Sequence, residues 1–172
     1  MDKNSYKKVV VVFLHKNFDS YLLQLRDFKS SIIYPGHWGA FGGAMEEGES
    51  PEAAICRELT EEIGYTPEAF KFFRQAYKDK HKLNVHIFYS EISVSTSDLF
   101  LMEGTDMGMF TKEEILTKNL YSQKLGKMFP IVPLLSEMFD EFFEYVNKNI
   151  KTNWILMLKI NMGFLDDQKF QI

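Results

Sequence analysis

Three glutamates within five residues, Glu58, Glu61 and Glu62, are the side chains of this sequence whose types and spacing could do chemistry. Residues three and four apart lie on the same side of a helix, so the spacing predicts carboxylates that project together. Like charges at this spacing weaken an isolated helix, whereas a hard cation such as Mg²⁺ takes oxygen ligands. Two interpretations follow from the residues alone, a metal site and a solvated acidic face.

The residues around the glutamates predict a helix from Pro51 to Ile63. Ser50 suits the N-cap position and a proline suits the first helical position, while Gly64 suits a C-terminal stop. An apolar stripe at positions i, i+4 and i+8 is formed by Ile55, Leu59 and Ile63. We therefore expect the helix to dock through this stripe and to present its carboxylates on an adjoining face.

A glycine-containing loop, residues 41–48, precedes this helix. Its glycines permit positive φ angles and a close approach of the backbone to a ligand. Arg57 lies four residues before Glu61 and can pair with that residue or with Glu49. Such a pair would hold the loop against the helix, and an ordinary surface ion pair is the alternative.

Together these residues follow the pattern G-x5-E-x7-R-E-U-x-E-E-x-G-U, where U is apolar, from Gly43 to Tyr65. Every fixed position matches, and only Tyr65 departs mildly, because an aliphatic residue is commoner there. The pattern resembles the Nudix box of the Nudix hydrolases. The order of the flanking elements extends the resemblance from about Tyr6 to Tyr145.

The resemblance implies an α/β fold, a Nudix-type α/β/α sandwich with a mixed β-sheet between helices. It implies a Nudix hydrolase domain over residues 1–147. Residues 148–172 then form a tail that packs on the domain or at a dimer contact, and the apolar segment Trp154–Leu158 belongs to this tail.

The implied activity is hydrolysis of a phosphoanhydride bond in a nucleoside diphosphate linked to another group. The implied cofactor is Mg²⁺ or Mn²⁺. Candidate substrates are nucleotide sugars, ADP-ribose, oxidised nucleoside triphosphates and dinucleotide cofactors.

The same resemblance assigns roles to residues of this sequence. Glu58, Glu61 and Glu62 are the expected metal ligands and catalytic carboxylates, with the carbonyl of Gly43 close by. Glu49 and Arg57 are the expected structural support of the box.

A further catalytic carboxylate is expected from a downstream loop. Glu103 is the preferred candidate, because Gly104 follows it, and Asp106 is the competitor. A solvated loop acid is the alternative for either residue.

Three residues outside the box are candidates for binding the substrate. Arg26 ends a predicted strand and could meet a phosphate, although an exposed salt bridge would explain it equally well. Tyr34 and Trp38 could stack on a nucleobase, because aromatic faces stack on any base. A buried core tryptophan is the alternative for Trp38.

Composition limits the class of protein. A chain of 172 residues with 45% hydrophobic and 26% charged residues fits one soluble globular domain. The net charge of −4 and the lack of a basic patch argue against a nucleic-acid partner. The single cysteine, Cys56, fits a reducing compartment, so we expect a cytoplasmic protein. The apolar run Val9–Leu14 is too short for a signal peptide or a membrane span and predicts a buried strand.

The hydrophobic pattern predicts the remaining elements. A hairpin joins the strand at Val9–Leu14 to a second strand at Tyr21–Arg26, and a short strand runs from Trp38 to Phe41. Two strands, a short strand or loop and two helices follow, at Phe70–Lys78, Leu83–Ile92, Leu99–Phe110, Lys112–Leu116 and Pro130–Val146.

Two other functions are compatible with a Nudix fold. A non-catalytic nucleotide-binding or sensor module often has a broken box, whereas here the box is intact. An isoprenoid diphosphate isomerase relies on a cysteine in its cleft, whereas Cys56 lies within the box helix.

Overall fold

A six-stranded mixed sheet forms the centre of the computed structural model, in which residues 3–151 are described. The strands are β1 (Lys7–Lys16), β2 (Ser20–Leu25), β3 (Trp38–Gly39), β4 (Lys71–Lys78), β5 (Leu83–Glu91) and β6 (Asp106–Thr111). They lie in the order β3-β2-β1-β5-β4, and β6 pairs with β2. A separate hairpin contains β7 (Asn119–Ser122) and β8 (Lys127–Pro130). The helices are α1 (Pro51–Ile63), α2 (Lys112–Leu116) and α3 (Pro133–Val146). The predicted α/β class with a mixed sheet is confirmed.

Strands β1 and β5 are parallel, in register from Lys7 opposite Leu83 to His15 opposite Glu91. Their carboxyl ends therefore meet at one edge of the sheet. The predicted hairpin joins β1 to β2 through a tight turn, in which the N–H of Asp19 donates to the carbonyl of Lys16 at 3.0 Å.

Helix α1 has the predicted bounds, and both of its predicted caps are present. The hydroxyl of Ser50 accepts from the N–H of Ala53 at 3.1 Å. Gly64 adopts a φ of 63° and donates to the carbonyl of Thr60 at 3.1 Å. The apolar stripe of the helix is fully buried against alternate residues of β1, which include Val10, Val12 and Leu14. This packing fixes the face on which the glutamates lie.

Downstream of β5 the structure differs from the predicted elements in two places. Helix α3 begins at Pro133 rather than Pro130, because Pro130 belongs to β8 and the N–H of Val132 donates to the carbonyl of Trp38. The β7–β8 hairpin was not predicted. Helix α2 forms as predicted, and Thr111 caps it in a capping box with Glu114.

The chain divides into two compact units between Ser136 and Glu137, so the division falls within α3. The predicted domain boundary after residue 147 stays a prediction. The predicted tail contact through Trp154–Leu158 lies outside the described residues. Among residues 3–151, no helix is both long and apolar enough to cross a membrane.

Candidate active site

The glycine loop is attached to β1 by backbone hydrogen bonds. The N–H groups of Val12 and Val10 donate to the carbonyls of Phe41 and Gly43 at 3.0 and 2.9 Å. Gly42 has a φ of 127°, and a side chain there would collide with the carbonyl of Val10. A side chain at Gly43 would overlap the carboxylate of Glu58. The loop backbone therefore lies directly against α1, as close as glycine allows.

Arg57 fastens this loop to the helix. Its guanidinium donates to Glu49 through Nε at 3.0 Å and through a terminal nitrogen at 3.1 Å. It also donates to the carbonyl of Ala44 at 2.9 Å, to Glu58 at 2.8 Å and to Glu61 at 3.5 Å. The hydrogen bond from Arg57 lowers the pKa of Glu49. Both predicted partners of Arg57 are thus present, and Glu58 is a third.

Glu62 is held differently from the other two glutamates. Its side chain is buried, and it accepts from the Nε2 of Gln24 at 2.5 Å and from the N–H of Gly42 at 2.9 Å. Burial raises its pKa to about 8, although both hydrogen bonds favour the ionised form. The negative charges of Glu58 and Glu103 contribute to this rise. Gln24 is also buried, and no pattern in the sequence marks it as a site residue.

Glu62 lines a small pocket of about 30 Å³ together with Arg26, Glu103 and Gly104. The Nε of Arg26 donates to the carbonyl of Ile33 at 3.0 Å, which orients the guanidinium. The loop of Glu103 is fixed by the N–H of Met102, which donates to the carbonyl of Glu62 at 2.8 Å. The same pocket is lined by Asp27 and Lys29, which form an ion pair, so two cationic side chains and three carboxylates share it at the end of α1.

The competitor of Glu103 is engaged elsewhere. Asp106 accepts from the hydroxyl of Ser122 at 2.5 Å and from the N–H of Lys124 at 3.2 Å. Its other oxygen accepts from the N–H of Met107 at 2.8 Å. Asp106 therefore joins β6 to the β7–β8 hairpin, a structural task that neither loop position nor spacing indicates.

The three box glutamates do not form one cluster in this structure. Among residues 3–151, no three His, Cys, Asp or Glu side chains are grouped closely enough to hold a metal ion. Arg57 forms ion pairs with Glu58 and Glu61, and the Glu61 side chain is 62% exposed. Glu62 instead accepts a hydrogen bond from Gln24. The expectation that all three carboxylates project together is corrected in this respect.

The donor atoms nevertheless fit a hard divalent cation. They are carboxylate oxygens of Glu58, Glu61 and Glu62 and the backbone carbonyl of Gly43, all of the type that Mg²⁺ and Mn²⁺ take. The absence of a side chain at Gly43 leaves its backbone open to the Glu58 carboxylate. The Gly43 carbonyl uses one lone pair for the N–H of Val10 and keeps the second.

The two aromatic candidates are not in the pocket of Glu62. Trp38 is fully buried, and its indole N–H donates to the carbonyl of Leu120 at 3.0 Å. The prediction that Trp38 stacks on a base is therefore wrong, and the alternative of a buried core tryptophan is correct. Tyr34 is half-buried, and its ring lies 5.5 Å from that of His37 in the loop between β2 and β3.

Comparison with known sequences identifies relatives of this chain. A family model for the NUDIX domain matches residues 5–125. The nucleoside triphosphatase NudI of Enterobacter sp. (strain 638) is 25% identical over 126 residues, which are 66% of this chain and 89% of that protein. The 8-oxo-dGTP diphosphatase of Escherichia coli (strain K12) is 46% identical over 43 residues, which are 23% of this chain and 33% of that protein.

Solved structures share the fold. The MutT protein from Methanosarcina mazei Go1 superposes with a TM-score of 0.65 at 21% identity, over 84% of this chain and 96% of that one. The NUDIX domain of Shewanella oneidensis NrtR, solved in complex with ADP ribose, gives a TM-score of 0.61 at 16% identity, over 83% of this chain and 89% of that one. The predicted Nudix-type fold is confirmed. Because the family model matches well over half of the sequence, and the intact box lies within that match, the chain belongs to the NUDIX family.

Proposed function

We propose that this protein is a divalent-metal-dependent hydrolase that cleaves a phosphoanhydride bond in a nucleoside diphosphate derivative. The observation that supports this proposal best is the position of Glu62, a buried carboxylate that shares a pocket with Arg26 and Glu103. A buried acid with a strongly perturbed pKa and charged neighbours is typical of a catalytic position.

The box residues would bind the cation. Glu58, Glu61 and Glu62 supply carboxylates, and Gly43 supplies a backbone carbonyl. When bound, Mg²⁺ or Mn²⁺ would neutralise the diphosphate and stabilise the charge that develops on the leaving oxygen. Arg57 would hold the glycine loop and the helix in place through Glu49, the contact that the structure already contains.

Three side chains would act on the substrate and on water, and one of them, Glu62, would also be a ligand of the cation. Among the described residues, the terminal nitrogens of Arg26 make no hydrogen bond or salt bridge, and such groups bind phosphate oxygens in pairs. Glu62 has a raised pKa and could accept a proton from water near neutral pH. Glu103 would contribute a further carboxylate to the same pocket.

For the substrate, nucleoside triphosphates come first, including oxidised ones, because two sequence relatives are named for activity on such compounds. ADP-ribose is the second candidate, because it is the ligand in one structural neighbour. Nucleotide sugars and dinucleotide cofactors complete the class. A NUDIX-fold domain that binds such a ligand without cleaving it is the rival function.

A turnover assay with a panel of these compounds tests the proposal. We expect one class to be hydrolysed with Mg²⁺ or Mn²⁺, EDTA to abolish turnover, and added metal to restore it. Glu58→Gln should lose activity, whereas Glu113→Gln, an exposed glutamate of α2, is the matched control that should not.

Full activity in chelator would overturn the metal requirement. Saturable ligand binding without any product would favour the rival, a nucleotide sensor.

A further inference from the structure

A second cleft, of about 330 Å³, lies at the carboxyl ends of the parallel strands β1 and β5. Gln24, Arg26, Glu62 and Glu103 are not part of it, so it is separate from the pocket described above. Its lining includes four aromatic rings, and its rim carries charged side chains. Its lining residues include His15, Phe18, Tyr65, Lys71, Tyr89 and Glu91. The volume is at the small end of the range for ligand sites.

The turn beside this cleft has an unusual conformation. Asn17 and Phe18 both have positive φ angles, 52° and 58°, as in a type I′ hairpin turn. Asn-Gly is the preferred sequence for such a turn, and a bulky residue in the second position is strained. Strained residues persist where the surrounding structure holds them and are concentrated at functional sites.

Two ring contacts hold Phe18 in this position. The ring stacks on the imidazole of His15, with centroids 3.8 Å apart and an angle of 22° between the planes. The centroid of Tyr89 lies 6.0 Å from that of Phe18. Phe18 is half-buried and lines the cleft, so the strained turn presents an aromatic ring to the cleft.

His15 supplies a polar group at the base of the cleft. The side chain is only 3% exposed, and its Nδ1 accepts from the backbone N–H of Phe18 at 3.3 Å. This bond places the ring proton on Nε2. In the part of the chain that the structure describes, every fully buried side-chain nitrogen or oxygen has a hydrogen-bond partner, whereas no residue bonds to the Nε2 of His15. This Nε2 is therefore not fully buried. The Nε2–H therefore opens into the cleft as a donor.

The charges at the rim indicate which ligands are disfavoured. Glu68 and Glu91 are exposed carboxylates, and Lys71 is the cation among the lining residues. Two acids against one base give the rim a negative balance, which disfavours a phosphate-bearing ligand. An uncharged ligand with hydroxyl groups suits carboxylate acceptors.

We propose that this cleft is a binding site for an uncharged nucleoside. Its base would stack on the face of Phe18 that His15 leaves open, and its sugar hydroxyls would face the Nε2–H of His15 and the carboxylates of Glu68 and Glu91. Stacking suits any base, so we expect aromatic recognition to dominate over base identity. This site does not depend on the hydrolytic function proposed above.

The test is an NMR titration of the ¹⁵N-labelled full chain in chelator, with adenosine, guanosine, cytidine and uridine and with their 5′-monophosphates. We expect saturable shifts of the backbone amides of Ser90, Glu91 and Ser93 with at least one nucleoside. We expect a Kd several-fold weaker for its monophosphate. Shifts centred on Gly42 and Gly104 instead, or no shift with any nucleoside, would overturn the proposal.

A matched pair of variants tests the stacking ring. Phe18→Gly restores the preferred Asn-Gly turn, so the hairpin should persist while the affinity for the nucleoside falls roughly 5- to 150-fold, the range found for removing one stacked ring. Phe100→Ala removes a ring that is 75% exposed and lies outside the cleft, and it should bind as the wild type does. An unchanged affinity in Phe18→Gly would contradict the assignment of the ligand to this cleft.

Discussion

The amide of Gln24 in β2 donates to the carboxylate of Glu62 in α1 at 2.5 Å, and both side chains are buried. The same carboxylate accepts from the N–H of Gly42, so two donors from two different elements fix one catalytic candidate. An added Cβ at Gly104 would lie 2.9 Å from the Oε1 of Gln24, which places this amide between Glu62 and the loop of Glu103. Gln24 is therefore positioned to orient the acid.

Replacing Gln24 with methionine should lower kcat by about 10- to 100-fold, the usual effect of losing a partner that orients a site residue. The change keeps the length of the side chain and removes the donor. Gln75→Met, on the exposed part of β4, is the matched control. Steady-state kinetics with a Mg²⁺ titration measure the effect, and a Gln24→Met enzyme as active as the control would show that the hydrogen bond is dispensable.

Arg57→Lys should destabilise the fold by about 1–3 kcal/mol, because lysine keeps the charge but cannot bridge Glu49, Ala44 and Glu58 at once. Urea unfolding measures the loss. Lys148→Met breaks an exposed pair with Glu144, in which both side chains are 74% exposed, and should cost at most about 0.5 kcal/mol. Equal effects of the two changes would mean that the Arg57 contacts do not stabilise the loop.

The sequence predicted α1 to the residue because its signals are local: Ser50, Pro51 and Gly64 act on adjacent backbone. Gln24 could not be found in this way, since it lies 38 residues from Glu62 and only the sheet brings the two together. Trp38 was ambiguous because burial depends on residues such as Leu120 that are distant in sequence. The β7–β8 hairpin was not predicted because its strands span four residues each, too few for a clear alternating pattern.

Glu103→Gln and Asp106→Asn should have opposite effects, the first on activity and the second on stability. Glu103 is exposed and lines the pocket, so its amide variant should lose activity and keep its melting temperature. Asp106 accepts three hydrogen bonds, so its variant should lose stability, by about 1–3 kcal/mol. Kinetics and thermal unfolding of both variants measure this contrast. A larger loss of kcat in a folded Asp106→Asn enzyme would reverse the assignment.

Stability should decline as the pH falls from about 6.5 toward 4 because of His15. Burial lowers the pKa of His15 to about 4 in the folded chain, against about 6.5 in the unfolded chain. Between these values the unfolded chain binds the extra proton, so acid favours unfolding.

Denaturant unfolding at pH 7, 5.5 and 4.5 measures the slope of the free energy of unfolding against pH. The measurement compares the wild type with His15→Gln and with His81→Gln, which changes an exposed histidine. The slope should become shallower only in His15→Gln. An unchanged slope in that variant would show that other groups cause the acid sensitivity.

The central claim is that Glu62 belongs to the catalytic machinery, and the Glu62→Gln variant tests it most directly. The change keeps the shape of the side chain and removes the charge, and Gln24 can rotate its amide to pair with the new one. With a hydrolysed nucleotide and saturating Mg²⁺, we predict that kcat falls by about 10²–10⁴-fold. Because burial disfavours the ionised form of Glu62, a neutral amide in its place should keep the melting temperature in chelator equal to or above that of the wild type. A folded Glu62→Gln enzyme with kcat within a few-fold of the wild type would contradict the account.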